Sequence, residues 1–144
     1  LSLLGFAQDA PGEKLIYCSC AARHYGLPVG EISRSYYELI ADEGTAPKVV
    51  YAVERGAEPE KEEFPATAED VAQLQQILSD LNASALNGYK EEESMAGGVS
   101  YRIYMEYSGG KKVNATWYTH NPKKVAVKTY YAILNFLSAI TQRK

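Results

Sequence analysis

At 144 residues the chain is sized for one domain, which buries roughly 70% of the surface that its unfolded form exposes. Hydrophobic residues at 46% and charged residues at 23% sit at globular levels and exclude disorder as a whole-chain description. A net charge of −3 gives no footprint for nucleic acid, and no apolar run approaches the ~18 residues that a membrane-spanning helix needs.

Twelve tyrosines accompany three phenylalanines and one tryptophan. Tyrosine joins an apolar ring to a hydroxyl that wants a partner or water, so these residues belong either at half-buried sheet positions or on an exposed binding face.

Leu1-Ser2-Leu3-Leu4-Gly5-Phe6-Ala7-Gln8-Asp9 opens apolar and reaches a small-x-small step at Gly5-Phe6-Ala7. This is the pattern of the end of an export signal, with cleavage expected after Ala7, although an ordinary apolar N-terminal segment would read the same way. Residues 1–7 are thus expected to be a signal-peptide remnant, and 8–144 a single domain exported to the periplasm or cell envelope. A lipid attachment site at Cys18 is disfavoured by bulky Tyr17 before it.

Leu15 to Cys20 reads as a strand in which period two places Ile16, Cys18, Cys20 and Ala22 on one face. Two residues apart on a strand, Cys18 and Cys20 would have Cα atoms about 6.5 Å from each other, at the edge of disulfide geometry. Zinc would need two further ligands, and His24 and His120 stand in no metal-binding spacing. Buried free thiols acting as small hydrophobes are expected.

Residues 24–31 carry two glycines and a proline and form a loop. Residues 32–41 and 48–56, rich in Tyr, Ile and Val, read as a hairpin with a long turn. The charged stretch from Gly56 to Pro65 is either a short edge strand with its turn or a loop. Thr67-Ala68-Glu69-Asp70 resembles a capping box, and Val71, Leu74, Leu78 and Leu81 follow at helical spacing until Asn87-Gly88 closes the segment. Lys90 to Gly98 is polar and reads as a loop, with Glu91-Glu92-Glu93 as a solvated face.

The strongest pattern follows. Val99, Tyr101, Ile103, Met105 and Tyr107 alternate with Ser100, Arg102, Tyr104 and Glu106, and Val113, Ala115 and Trp117 alternate with Lys112, Asn114, Thr116 and Tyr118. A two-residue Gly109-Gly110 turn would mix apolar and polar partners. A three-residue loop with Gly110 in the left-handed region instead pairs Tyr107 with Lys111, Met105 with Val113, Ile103 with Ala115 and Tyr101 with Trp117. It also sets Glu106 opposite Lys112. Asn121-Pro122 reads as an N-cap with proline at the first helical position, and Ala126, Tyr130, Ile133, Leu137 and Ile140 form the buried stripe of the helix it starts. The expected fold is α+β: an antiparallel sheet of about four to six strands built from hairpins, with two helices packed on one face.

No nucleophile elbow, phosphate-binding glycine loop or dinucleotide fingerprint occurs, so the chain is not assigned a catalytic residue, a metal or a cofactor. Two places could bind. The outer face of the last hairpin gathers Arg102, Tyr104, Glu106, Asn114, Thr116 and Tyr118, with His120 at the strand's end, a mixture suited to a sugar or a protein partner; a plain solvated sheet face is the alternative. Lys123 and Lys124 crowd a helix start, where an anion could sit, or are ordinary surface lysines.

Between Lys48 and Leu137 the order of elements resembles a loose group of small exported bacterial domains of unknown function, and the Ala-Gln junction is similar to those of exported Bacteroidetes proteins. The elements concerned are Val49-Val50-Tyr51-Ala52-Val53, Asp70 to Leu81, Asn87-Gly88-Tyr89-Lys90, Tyr101 to Tyr107, Gly110-Lys111, Val113 to Tyr118 and Asn121-Pro122-Lys123-Lys124. The resemblance implies an exported domain and supplies no site residue.

The expected function is a non-enzymatic exported binding or protein-interaction domain whose partner is a cell-envelope protein or glycan. The alternatives are a small periplasmic hydrolase or lyase using His120 with a carboxylate such as Glu106, and an assembly domain that pairs through an exposed strand edge.

Overall fold

The computed structural model describes residues 13–91, 98–118 and 122–143. The expected signal remnant, Glu92, Glu93, His120 and Asn121 lie outside the described residues.

The chain forms strands β1 (Leu15–His24), β2 (Arg34–Ile40), β3 (Lys48–Glu54) and β4 (Pro59–Pro65), helix α1 (Ala68–Asp80), strands β5 (Val99–Tyr107) and β6 (Lys112–Tyr118), and helix α2 (Lys124–Thr141). A 3-10 turn at Ala83–Leu86 follows α1. The six strands make one antiparallel sheet in the order β4-β3-β2-β1-β5-β6. Both helices pack on one face, giving the α+β architecture expected from the alternation. The stretch before Pro65, which read as strand or loop, is the edge strand β4.

The core lies between that face and the helices. Cys18, Cys20, Leu39, Val49, Ile103, Met105, Val113, Ala115 and Trp117 supply the sheet side, and Leu74, Leu78, Ala126, Tyr130, Ile133, Leu137 and Ile140 the helix side. One position differs from strict alternation. The β1–β5 register shifts between Leu15 and Tyr17, so Leu15 rather than Ile16 enters the core, at 1% exposed. A bulge of this kind adds one residue to one strand and so exchanges the faces on either side of it.

The β5–β6 hairpin has the register that the hydrophobic pattern requires, with Met105 opposite Val113, Ile103 opposite Ala115 and Tyr101 opposite Trp117. The Tyr107 N–H donates to the Lys111 carbonyl at 2.9 Å, and Gly110 has φ +96°. A Cβ at Gly110 would meet no atom within 4 Å, so Gly110→Ala tests backbone strain alone. It is expected to cost about 1 kcal/mol, read as a lowered urea midpoint with unchanged slope.

Helix α1 starts as the capping box predicts: the Asp70 N–H donates to Thr67 Oγ1 at 3.0 Å, and the Thr67 N–H donates to Asp70 Oδ2 at 2.8 Å. The start of α2 needs a correction. Its N-cap is Lys123, which makes no side-chain cap, and Pro122 precedes the cap instead of occupying the first helical position. The Lys123 N–H donates instead to the Tyr89 hydroxyl at 3.0 Å, which ties the helix start to the segment before β5.

Both sheet edges are occupied or blunted. Residues 88–91 run along β6: the Thr116 N–H donates to the Tyr89 carbonyl at 3.0 Å and the Glu91 N–H to the Thr116 carbonyl at 3.2 Å. At the other edge β4 carries Pro59, Glu60, Lys61, Glu62, Glu63 and Pro65, a composition that discourages pairing with another strand. Cys18 and Cys20 are free and buried. Burial pushes the Cys20 thiol up to about 12 and the Cys18 thiol well above its usual range, so both stay protonated and unreactive.

Candidate functional site

Helices cover one face of the sheet; the other carries a grid of side chains fixed by the strand registers. Across the sheet, Lys112, Glu106, Tyr17, Ile40 and Lys48 form one row, and Asn114, Tyr104, Ser19, Glu38, Val50 and Glu63 the next. Thr116, Arg102, Ala21, Tyr36, Ala52 and Lys61 form a third row. Small residues at Ser19 and Ala21 on the central strand leave a floor between larger walls. The result is a recess of about 450 Å³ lined chiefly by Tyr17, Arg34, Tyr36, Glu38, Arg102, Tyr104 and Glu106.

The walls are cross-braced. Tyr17 donates to Glu38 Oε2 at 2.5 Å, and Tyr104 donates to a carboxylate oxygen of Glu106. The two phenol rings stand 5.9 Å apart, tilted by 59°. Arg34 lies 4.6 Å over the Tyr36 ring and pairs with Glu54 at 2.8 Å. Arg102 lies 5.0 Å over the Tyr104 ring, and its Nε donates to Asn114 Oδ1 at 3.0 Å. Burial, then the hydrogen bond to Glu38, raises the Tyr17 phenol. The hydrogen bond to Glu106, then burial, raises that of Tyr104. Both phenols therefore remain neutral donors, not bases, at neutral pH.

The residues singled out on the last hairpin divide. Arg102, Tyr104 and Glu106 line the recess, and Asn114 stands beside it holding Arg102. Glu106 faces Lys112 in the register, but its carboxylate takes the Tyr104 hydroxyl instead of an ion pair. Thr116 and Tyr118 lie toward the β6 edge, where the Tyr118 N–H donates to Glu91 Oε1 at 3.2 Å. At the start of α2 the Lys123 ammonium lies 4.9 Å over the Tyr89 ring, and Lys124 is exposed.

The half of the recess built by β1 and β2 was not singled out from the sequence. Arg34, Tyr36, Glu38 and Ile40 alternate as clearly as the residues of β5, but only the pairing of β1 with both β2 and β5 brings them beside Tyr104. A larger recess of about 700 Å³ lies between α1 and the turn after β2, lined by Val71, Ala72, Gln75 and Pro47 with Glu13, Lys14, Asp42 and Glu43 among others, and it has no aromatic wall. Among the described residues no group of three or more His, Cys, Asp or Glu is arranged to hold a metal ion.

No protein-family model matches the chain, and no curated protein matches it.

Proposed function

We propose that this is a non-enzymatic binding domain that takes a cell-envelope ligand, a glycan or part of a protein, in the recess on its open sheet face. The observation that carries this reading is the recess itself: three tyrosine rings, two arginines and three carboxylates converge on a floor of Ser19 and Ala21. Rings with adjacent polar groups suit ligands that offer both a flat apolar face and hydrogen-bonding edges. The neutral phenols and the absence of an activated nucleophile among these residues favour binding over catalysis. Export to the periplasm or envelope is part of the proposal and rests on residues 1–9.

Tyr17→Ser combined with Tyr104→Ser is expected to weaken retention of cell-envelope fractions on the immobilised domain by roughly tenfold or more, since removing one ring contact costs about 1 kcal/mol and the paired phenol hydrogen bonds are lost with it. Tyr131→Ser, on exposed helix surface, should leave retention unchanged. Equal retention by the double variant, with a native circular dichroism spectrum, would remove the site.

A further inference from the structure

We infer that the end of the recess around Tyr17 binds a small organic cation, an alkylammonium group, which deepens the binding reading above and rests on it.

The charges on the open face are unevenly satisfied. Glu54 pairs with Arg34 at 2.8 Å and Glu63 with Lys48 at 3.1 Å. Glu38 and Glu106, by contrast, have only phenol partners among the described residues, Tyr17 and Tyr104 respectively. A phenol can donate a hydrogen bond but brings no positive charge to set against a carboxylate. Asp42, two residues beyond Ile40, adds a third carboxylate to the same wall.

The rings show the same gap independently. Of the three recess tyrosines, Tyr36 carries the Arg34 guanidinium and Tyr104 that of Arg102, but Tyr17 carries no cation among the described residues. Tyr17 stands directly opposite Glu106 in β5 and hydrogen-bonds Glu38 from β2, so the recess ring without a cation among the described residues sits between these two carboxylates. A positive group above that ring meets the negative face of an aromatic and two anionic oxygens together, the combination that selects ammonium ions. Neither arginine competes for the place, since both are held over their own tyrosines. The volume of about 450 Å³ is in the range of a small-molecule site.

Amide NMR spectra of the whole domain, titrated with choline and with cadaverine, test this. The control is the neutral carbon isostere of choline, in which tert-butyl replaces the trimethylammonium group. Choline or cadaverine should shift the amides of Tyr17, Glu38 and Glu106, and the isostere should not. Glu38→Gln with Glu106→Gln should weaken cation binding roughly tenfold or more while the fold is kept. Isostere binding as tight as that of choline, or cation binding unchanged in the double Gln variant, would overturn the inference. Envelope oligosaccharides shifting these amides while neither cation does would sink the cation and leave the binding face standing. No response at this face to any probe would sink both.

Discussion

Trp117→Ala is expected to lower the unfolding free energy by about 4 kcal/mol. Trp117 is 2% exposed and sits where the end of β6 meets α2. Its ring stands 6.0 Å from that of Tyr101, 6.1 Å edge-on from Tyr130 and 6.2 Å from Tyr89, so it joins β5, β6, α2 and the segment before β5. Truncation removes the transfer energy of a large ring and leaves a cavity whose aromatic walls cannot collapse freely. Against a total stability of about 5–15 kcal/mol for a domain, such a loss is a large fraction. Urea unfolding should show it as a fall in midpoint at nearly constant slope; a loss below about 1 kcal/mol would mean that these rings do not act as core.

The second large effect is electrostatic. Asp70 is 4% exposed yet ionised, because Arg143, just beyond α2, grips it with two bonds of 2.8 and 2.6 Å while the Thr67 N–H supplies another. These partners, Arg143 first, lower the carboxyl from its ordinary 3.8 to about 2. A carboxyl whose pKa is depressed by folding adds stability that is complete above about pH 4 and fades as pH falls toward 2. Asp70→Ala should cost about 2 kcal/mol near neutrality, through loss of the capping box and of the charge-assisted pair. The gap in melting temperature between the two proteins should then close between about pH 4 and pH 2. A gap that persists unchanged at pH 2 would show that the pair contributes through packing and not through charge.

What could be read from the residues follows the range of the interactions. The β5–β6 hairpin was legible down to its register because its determinants are local: two alternating strands, a Gly110 that tolerates positive φ, and one loop length that makes every pair sensible. The capping box of Thr67 and Asp70 was legible for the same reason. The start of α2 was misplaced because Asn121-Pro122 is a good local signal overridden by a tertiary one, the hydroxyl of Tyr89 taking the Lys123 N–H. Leu15 entered the core through a bulge that period two cannot foresee. The recess was half legible. Arg102, Tyr104 and Glu106 stood out on their hairpin, while Tyr17, Tyr36 and Glu38 needed the knowledge that β1 lies between β2 and β5. Pairing across so long a stretch of chain leaves no mark in either segment.

The same strand order governs how the protein must come together. β1 lies in the middle of the sheet, flanked by β2 and β5, and precedes both of them in the chain. One of its edges is satisfied at once by the neighbouring β2, but the other waits until Val99–Tyr107 has been made. Closing that long loop is an entropic cost met late, so the joining of the β1–β4 half to the β5–β6 hairpin is expected to be the slow step of folding. Cys18 and Cys20 face the helices from β1, so they stay accessible to reagents until the sheet is joined and the helices dock, and the rate of their protection during refolding would report completion of the core.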